Sequence, residues 1–479
     1  MSDINNKVKI ATKWSAITEI VAKVVTPITG MVLAHLLAPE AYGVVATLAM
    51  IITFAEIFTD AGFQKYIVQH EFVDHIDLEQ STNVAFWSNF SLSLIIWGII
   101  ALFADPLARI VGSPGLGHVL IISCASIPLA AFSSIQMARY RRDFDFKTLF
   151  KVRIISILVP LLVNIPLAVW LRSYWALVIG TIAQNLINAV MLTVLSRWKP
   201  RLYFSWSKLR EMLSFTIWSL VEAISIWLTG YFDVFIVGSQ LSQYYLGLYK
   251  TSTTLVGQIM GLITAATTPV LFSSLSRLQN DDKEFKKLFF TFQKLVGLLV
   301  LPIGVGIFCF GDFLTSIALG NKWMEASGFI GIWGLTSAIT IVLSHYASEV
   351  YRAKGRPKLS VLSQWLHIIV LWPVVLITVK YGFETLYIAR SLVRFEGIIV
   401  NLILIYYLVR ITPSQMIRNI WPSLLASVMI FIVAEIMKTQ GDKIGWTIAT
   451  MIVCCIVYFG IVLLFPTERK LLKRFILKK

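Results

Sequence analysis

Charge is scarce in this chain. Asp, Glu, Lys and Arg make up 14% of its 479 residues, against about 25% in a soluble protein. A surface facing water cannot be built from so few, so a soluble globular protein is excluded. Acidic residues are the scarcer kind, 26 against 42 basic ones. Cysteine occurs four times, as Cys124, Cys309, Cys454 and Cys455. Each lies in an apolar run without metal-ligand spacing, which reads as small buried hydrophobes and no metal site. The opening MSDINNKVKIATKW has no A-x-A-like cleavage site and leads into a full-length apolar run, so we read it as a retained cytoplasmic tail. No glycine-rich phosphate loop is present, and no cofactor is expected.

What the chain has in quantity is apolar residues, 57% of the total, in runs of about 20 broken by short polar stretches. That length crosses a hydrocarbon core of roughly 30 Å. Runs this continuous mean helices, because a barrel would alternate over about ten residues. The expected fold is an all-α polytopic membrane protein of about 14 spans. The first six are Trp14–Leu37, Tyr42–Gln64, Ser81–Phe103, His118–Gln136, Thr148–Leu171 and Trp175–Leu195. The next six are Met212–Val237, Tyr245–Leu271, Phe289–Phe310, Ala326–Tyr346, Leu359–Val379 and Glu384–Leu408, and the last two are Trp421–Met437 and Gly445–Phe465. Pro27, Pro128, Pro160, Pro166, Pro269, Pro302 and Pro373 are expected to kink their helices.

Lys and Arg orient the bundle. With the N-terminus inside, roughly 29 basic residues fall in cytoplasmic segments and about six outside. Both termini are then cytoplasmic. The net charge of +16 is mostly this topology signal plus attraction to anionic membrane lipid, and nucleic acid is not an expected partner. The chain also resembles itself. "YGVVATLAM" from Tyr42 aligns with "LGLYKTSTT" from Leu246, pairing Gly43 with Gly247. "FADPLARI" from Phe103 aligns with "FGDFLTSI" from Phe310, and "YRRDFDFKTL" from Tyr140 with "YRAKGRPKLS" from Tyr351. The offset drifts from about 204 to about 211 residues with order kept. Six spans is an even number, so the halves are parallel repeats. The expected organisation is a six-helix lobe over 1–200, a second over 201–410, and two further helices with a basic tail over 411–479.

Several stretches resemble a known family. They are "ATKWSAITEIV" at Ala11, "LLAPEAYGVVATLAMIITFAEIFTDAGFQKYIVQ" from Leu36 and "FDVFIVGSQLSQYYLGLYKTSTTL" from Phe232. To these are added "TPVLFSSLSRLQND" from Thr268, "LGNKWMEAS" from Leu319 and "YRAKGRPKLS" from Tyr351. As a set, running from about Ala11 to about Tyr407, they resemble the Wzx-type polysaccharide flippases of the multidrug/oligosaccharidyl-lipid/polysaccharide exporter superfamily, most of all the colanic-acid/lipopolysaccharide exporter subgroup. The resemblance implies a bacterial inner-membrane transporter that works by alternating access. Its cargo would be an undecaprenyl-pyrophosphate-linked oligosaccharide repeat unit for O-antigen, capsule or exopolysaccharide assembly, with polymerase and other assembly proteins as partners. Two alternatives share the superfamily, a cation-coupled multidrug efflux pump and a flippase for lipid II, the peptidoglycan precursor. A membrane-embedded polymerase or glycosyltransferase is rejected. The longest external loops, Ala104–Gly117 and Gly311–Glu325, hold only Asp105, Arg109, Asp312, Lys322 and Glu325, too little for catalysis, so an enzyme is not expected.

Ionisable residues inside spans cost at least a few kcal/mol and usually face a cavity or a partner. A pyrophosphate-linked cargo needs cationic compensation, and Arg adds a bidentate fork. On position alone, Lys23, Lys250, Arg390 and Arg394 are the candidate headgroup residues; Arg390 and Arg394 share one face of the twelfth span. Glu56 and Asp60, i and i+4 on the second span, and Glu222 and Asp233 on the seventh are candidates for proton or cation coupling. Glu19 with Lys23 and His345 with Glu349 form further i, i+4 sets, whereas Lys151, Arg153 and Lys294 read as snorkelling charges near helix ends. The topology predicts that reporter fusions after Arg142, Arg201 and Lys354 register as cytoplasmic and fusions near Gly112 and Asn321 as external. One reversed pair would overturn the span count or the repeat.

Overall fold

Backbone in hydrocarbon has no water to bond, so the long apolar runs must close their own hydrogen bonds. The computed structural model is accordingly 88% helical, with no strand among the described residues. It describes residues 2–476 apart from Ala61, Arg197 and Asp442; side chains at 2–12, 16, 20, 60, 214–219, 221, 222 and 472–476 lie outside the description. Thirteen helices among the described residues are long and apolar enough to cross a membrane. They fall on thirteen of the expected spans, and the 35-residue helix Trp206–Gln240 takes the place of the seventh.

Several helices outrun their apolar segment at the ends rich in Lys and Arg. The ninth starts at Asp282, not Phe289, and the thirteenth at Pro413, not Trp421. Extension into the headgroup layer needs the first N–H groups capped. The side chains of Asp74, Asp145 and Asp281 cap the third, fifth and ninth helices, and Thr412 forms a reciprocal capping box with Gln415. The second span is shorter than expected. Its helix stops at Asp60, Gly62 turns the chain at φ 133°, and Phe63–Gln69 is a separate helix. Phe63, Tyr66 and Ile67 are buried there with Phe86, Trp198 and Met212, so Phe63, the last apolar residue of the expected span, belongs to this separate helix.

Only some prolines break their helices. Pro160 opens a π-helical turn over Pro160–Asn164, Pro166 starts the next segment, and Pro128 follows a break at Ala125. Pro27, Pro269, Pro302 and Pro373 lie inside helices that continue through them. A second π-helical turn, Ile341–His345, contains no proline.

Segments that align in sequence are similar in backbone detail. Phe103 and Phe310 each end a long helix in nearly the same conformation, φ −108°, ψ 21° and φ −113°, ψ 30°. Tyr140–Asp145 and Tyr351–Arg356 end their helices in matching turns. Asp145 N donates to Tyr140 O at 2.9 Å and Arg356 N to Tyr351 O at 2.8 Å, the 6→1 bond of a Schellman cap. The left-handed position is Phe144 (φ 57°) in the first turn and Gly355 (φ 68°) in the second.

Packing contacts divide the chain into two units, Met1–Lys250 and Thr251–Lys479. Within the first, Gly43 and Gly247 make a reciprocal close approach. A Cβ on Gly43 would lie 1.8 Å from the Gln243 carbonyl oxygen, and one on Gly247 would lie 1.9 Å from that of Pro39. Residues 39 and 243 are separated by the same 204 positions as 43 and 247, so the contact repeats the internal symmetry. Within the second unit, the ninth helix packs against the tenth, where Gly304 meets Ala338 and Gly334 meets Ile307. The two appended helices bury Ala426, Ile430, Cys454 and Tyr458 against Leu298 and Cys309 of the ninth, with Tyr458 Oη donating to Leu298 O at 2.7 Å. Lys294 does not simply snorkel. Its Nζ lies 3.1 Å from Glu468, a carboxylate 1% exposed at the start of the C-terminal helix. Cys455 departs from the expected burial and is exposed, unlike the other three cysteines.

A bulky residue at a left-handed position costs about 1 kcal/mol. Phe144→Gly should therefore raise thermal stability in detergent by roughly that amount, and Gly355→Ala should lower it similarly. Equal unfolding temperatures for both variants and the parent would show that the turns are not strained.

Candidate functional site

In the first unit the polar residues lie along the second, seventh and eighth helices. Asp233 is buried, and its carboxylate accepts from the Tyr249 hydroxyl at 2.6 Å and from the Val234 backbone N–H at 2.8 Å. Lys250 Nζ stands over the Tyr231 ring, 4.9 Å from its centre. Seventh and second helices meet where Trp227 Nε1 donates to Met50 O and Thr53 Oγ1, both at 3.3 Å, and its ring packs on Phe54. Glu56 and Lys23 are half-buried and Glu19 is exposed. The side chains of Asp60 and Glu222 lie outside the described residues.

At the basic end of this unit, Tyr66 Oη donates to Glu211 at 2.8 Å, and His70 stacks on Tyr66 with its Nε2 3.5 Å from the same carboxylate. Burial first, and then the Glu211 carboxylate, hold the Tyr66 hydroxyl above its usual pKa. Arg142 donates to the carbonyls of Ile67 and His70 at 2.9 and 2.8 Å and lies over Phe72. These residues are structural. They hold Phe63–Gln69 against its neighbours.

The second unit brings more charge together. Arg390 and Arg394 do share one face, as their spacing requires, and that face is turned to Trp333. The two guanidinium carbons lie 5.1 and 4.0 Å from its ring centre, and Arg394 donates to Ser337 Oγ at 2.6 Å. Trp333 and Ser337 are buried on the helix Ser327–Thr340. A guanidinium over a Trp face in a desolvated place is worth about 2 kcal/mol, which offsets part of the cost of holding two cations in a span.

Glu396 points another way and meets His367 of the eleventh helix, Nδ1 to Oε2 at 2.9 Å. Sequence spacing gave no sign of this pair, because its partners are 29 residues apart on different helices. The expected His345–Glu349 set does not form. The π-helical turn ending at His345 and the break at Tyr346 disturb the i, i+4 register, His345 is exposed beside Tyr346, and the buried Glu349 carboxylate is taken by Arg352. Below Glu396, Asn401 joins three helices. It donates to Ser344 Oγ at 2.8 Å and accepts from Tyr351 Oη at 2.8 Å and Ser363 Oγ at 3.0 Å. No group of three or more His, Cys, Asp or Glu residues suited to a metal occurs among the described residues.

Comparison with known proteins bears on what such a bundle does. The chain is 22% identical over 352 residues to the succinoglycan biosynthesis transport protein ExoT of Rhizobium meliloti (strain 1021), covering 74% of this chain and 70% of that one. It is 20% identical over 317 residues to the lipopolysaccharide biosynthesis protein WzxC of Escherichia coli (strain K12), covering 65% and 63%. Its fold matches a solved structure of the lipid II flippase MurJ in an inward closed conformation, with a TM-score of 0.74 at 14% identity over 95% of this chain and 98% of that one. A model of polysaccharide biosynthesis proteins matches residues 32–328, well over half the chain. With its helical bundle, its internal repeat and this match, the chain belongs to the polysaccharide biosynthesis protein family.

Proposed function

We propose that this protein is a flippase of the bacterial inner membrane. It translocates an undecaprenyl-pyrophosphate-linked oligosaccharide from the inner to the outer leaflet by alternating access. The observation that carries the reading is the pair Arg390 and Arg394, held on Trp333 inside a membrane span of a polysaccharide-biosynthesis family member. Stacking engages the face of a guanidinium, whereas bidentate recognition of a phosphate uses its edge. A buried Trp thus helps to position the two cations, and their edges are the groups proposed to meet an anionic headgroup. Lys23 and Lys250, in the first unit, remain proposed headgroup residues on their position in the sequence. The relatives' printed names, succinoglycan transport and lipopolysaccharide biosynthesis, support a saccharide cargo. A drug pump would favour an acidic cavity, and lipid II shares the pyrophosphate but not these relatives.

We further propose fourteen spans with both termini cytoplasmic, two six-helix repeats over 1–200 and 201–410, and an appendix over 411–479. Glu56, Asp60, Glu222 and Asp233 remain the proposed proton or cation carriers. Asp233 is best supported, being a buried carboxylate with a tyrosine hydroxyl on it. Polymerase and other assembly proteins are proposed partners.

Replacing Arg390 and Arg394 together with Gln should leave the amount of protein in the membrane nearly unchanged. It should remove outer-leaflet delivery of the lipid-linked sugar by tenfold or more, measured in spheroplasts. The double Lys variant should keep partial activity, since charge stays and the fork is lost. Normal delivery by the Gln variant would refute the headgroup assignment. For coupling, Asp233→Asn should abolish the dependence of transport on an imposed ion gradient while the protein stays folded; unaltered gradient dependence would make Asp233 a structural group.

A further inference from the structure

The last helix, Pro466–Ile476, is short and strongly two-sided. Phe465 before it is extended (φ −89°, ψ 117°), so it does not continue the fourteenth helix but packs against it. On a 3.6-residue period Leu471, Leu472, Phe475 and Ile476 fall within about 80° of Glu468. Arg469, Lys470, Lys473 and Arg474 fall on the other side. Burial follows this division where side chains are described. Glu468 is 1% exposed and Leu471 is half-buried, whereas Arg469 and Lys470 are exposed.

An acid therefore stands at the middle of the apolar face. A helix built to sink that face into lipid would not carry one there, because a carboxylate opposes insertion. Here the carboxylate meets Lys294 of the ninth helix, with Nζ 3.1 Å away. Lys294 is itself a cation in a span, and each charge offsets the cost of burying the other. The apolar face is thus matched to the protein, which holds the basic face outward. Depth agrees with this. Lys294 is five residues past Phe289, where the apolar run of the ninth helix begins, so it lies about 7 Å further along the axis. An amphipathic helix in the membrane interface rests about 5–10 Å deep, at the boundary of headgroups and acyl chains.

We propose that the outward face of Pro466–Ile476 binds anionic phospholipid headgroups, and that the pair Glu468–Lys294 is the positioning element that holds it at their depth. Charge favours this occupant. Residues 469–479 include no acid, so nothing in the segment after Glu468 competes with an anion for the four basic positions. Acidic lipid already lines the layer in which the helix lies, whereas an acidic soluble protein would have to enter that layer to reach it. A bare topology signal needs only the number of basic residues near a span. It requires neither an acid at the middle of the apolar face nor a buried partner for it on another helix.

The test uses the full protein in phosphatidylcholine nanodiscs that hold a minor fraction of photoactivatable phosphatidylglycerol or, as control, photoactivatable phosphatidylcholine. Mass spectrometry locates and counts the label on residues 465–479. One Lys or Arg near an anionic surface is worth about fivefold in binding, so phosphatidylglycerol should label this segment at least about fivefold more than phosphatidylcholine. The excess should fall on residues 469, 470, 473 and 474, and it should vanish at about 1 M salt, where screening acts beyond roughly 3 Å. Arg469→Gln, Lys470→Gln, Lys473→Gln and Arg474→Gln together should bring the two lipids level. Glu468→Lys, which repels Lys294, should let label spread to Leu471, Leu472 and Phe475. The exchanged pair, Lys294→Glu with Glu468→Lys, should confine it again. Equal labelling of the parent by both lipids, or an excess that survives in the fourfold Gln variant, overturns the site. Loss of the excess on adding farnesyl-pyrophosphoryl-N-acetylglucosamine would make this a cargo surface and overturns it too. An unchanged pattern in Glu468→Lys overturns the positioning role. Should that variant fail to fold, the exchanged pair decides: confined label supports the role and spread label overturns it.

Discussion

Inside hydrocarbon a polar group finds no water, so it must find its partner in the protein. That constraint orders the whole structure. Asn89 donates to Ser134 at 2.7 Å between the third and fourth spans, and Asn419 to Gln293 at 3.0 Å between the thirteenth and ninth. Asn401 binds three helices at once. Each such contact sets which helices are neighbours and at what depth, which apolar packing in lipid does only weakly. Most hydroxyls in the spans bond back to their own helix, as Thr29 does to Val25 and Ser156 to Val152, and so specify nothing between helices. Specification comes from the few amides and charges. The candidates for function are among the charges.

Spans were legible because their signal is local and redundant, about twenty residues repeating one message. All fourteen have a matching helix, thirteen of them long and apolar enough to cross a membrane among the described residues, with ends displaced by a few residues where caps such as Asp281 and Thr412 extend a helix. The shared face of Arg390 and Arg394 was legible too, since it follows from one helix's own period. What that face meets was not. Trp333 lies 57 residues before Arg390, and no periodicity links them. The same limit hid His367 with Glu396, and it hid Lys294 with Glu468, where one partner had passed for a snorkelling lysine. The His345–Glu349 expectation failed locally, because a π-helical turn without proline leaves no mark in sequence.

The repeat and the packing divide the chain at different places because they record different things. The proposed repeat would start the second half near residue 201, whereas contacts keep Trp206–Gln240 and the start of Gln243–Arg277 with the first half, to Lys250. The seventh helix earns that place at both ends. Tyr66 binds Glu211 and Lys208 binds Asp77 at one, and Gly112 sits against Gly238 at the other. Between Pro39–Gly43 and Gln243–Gly247 the close approach is reciprocal, which is what two copies of one motif produce when they meet across an approximate two-fold axis. Any side chain at either glycine would collide with backbone, so neither position has room for change.

Placing cations in a membrane span sets a conflict between stability and binding. A carboxylate directly on a guanidinium would lower the cost of burial and at the same time cancel the charge an anion is to meet. A π face does otherwise. Trp333 attracts both guanidiniums through its quadrupole and leaves their formal charge in place. The acid of the cluster, Glu396, is turned to the neighbouring helix and held by an imidazole, near enough to share the field of the arginines. Stacking uses the faces of the guanidiniums, and their edges, the part that recognises a phosphate in a bidentate way, are a separate surface.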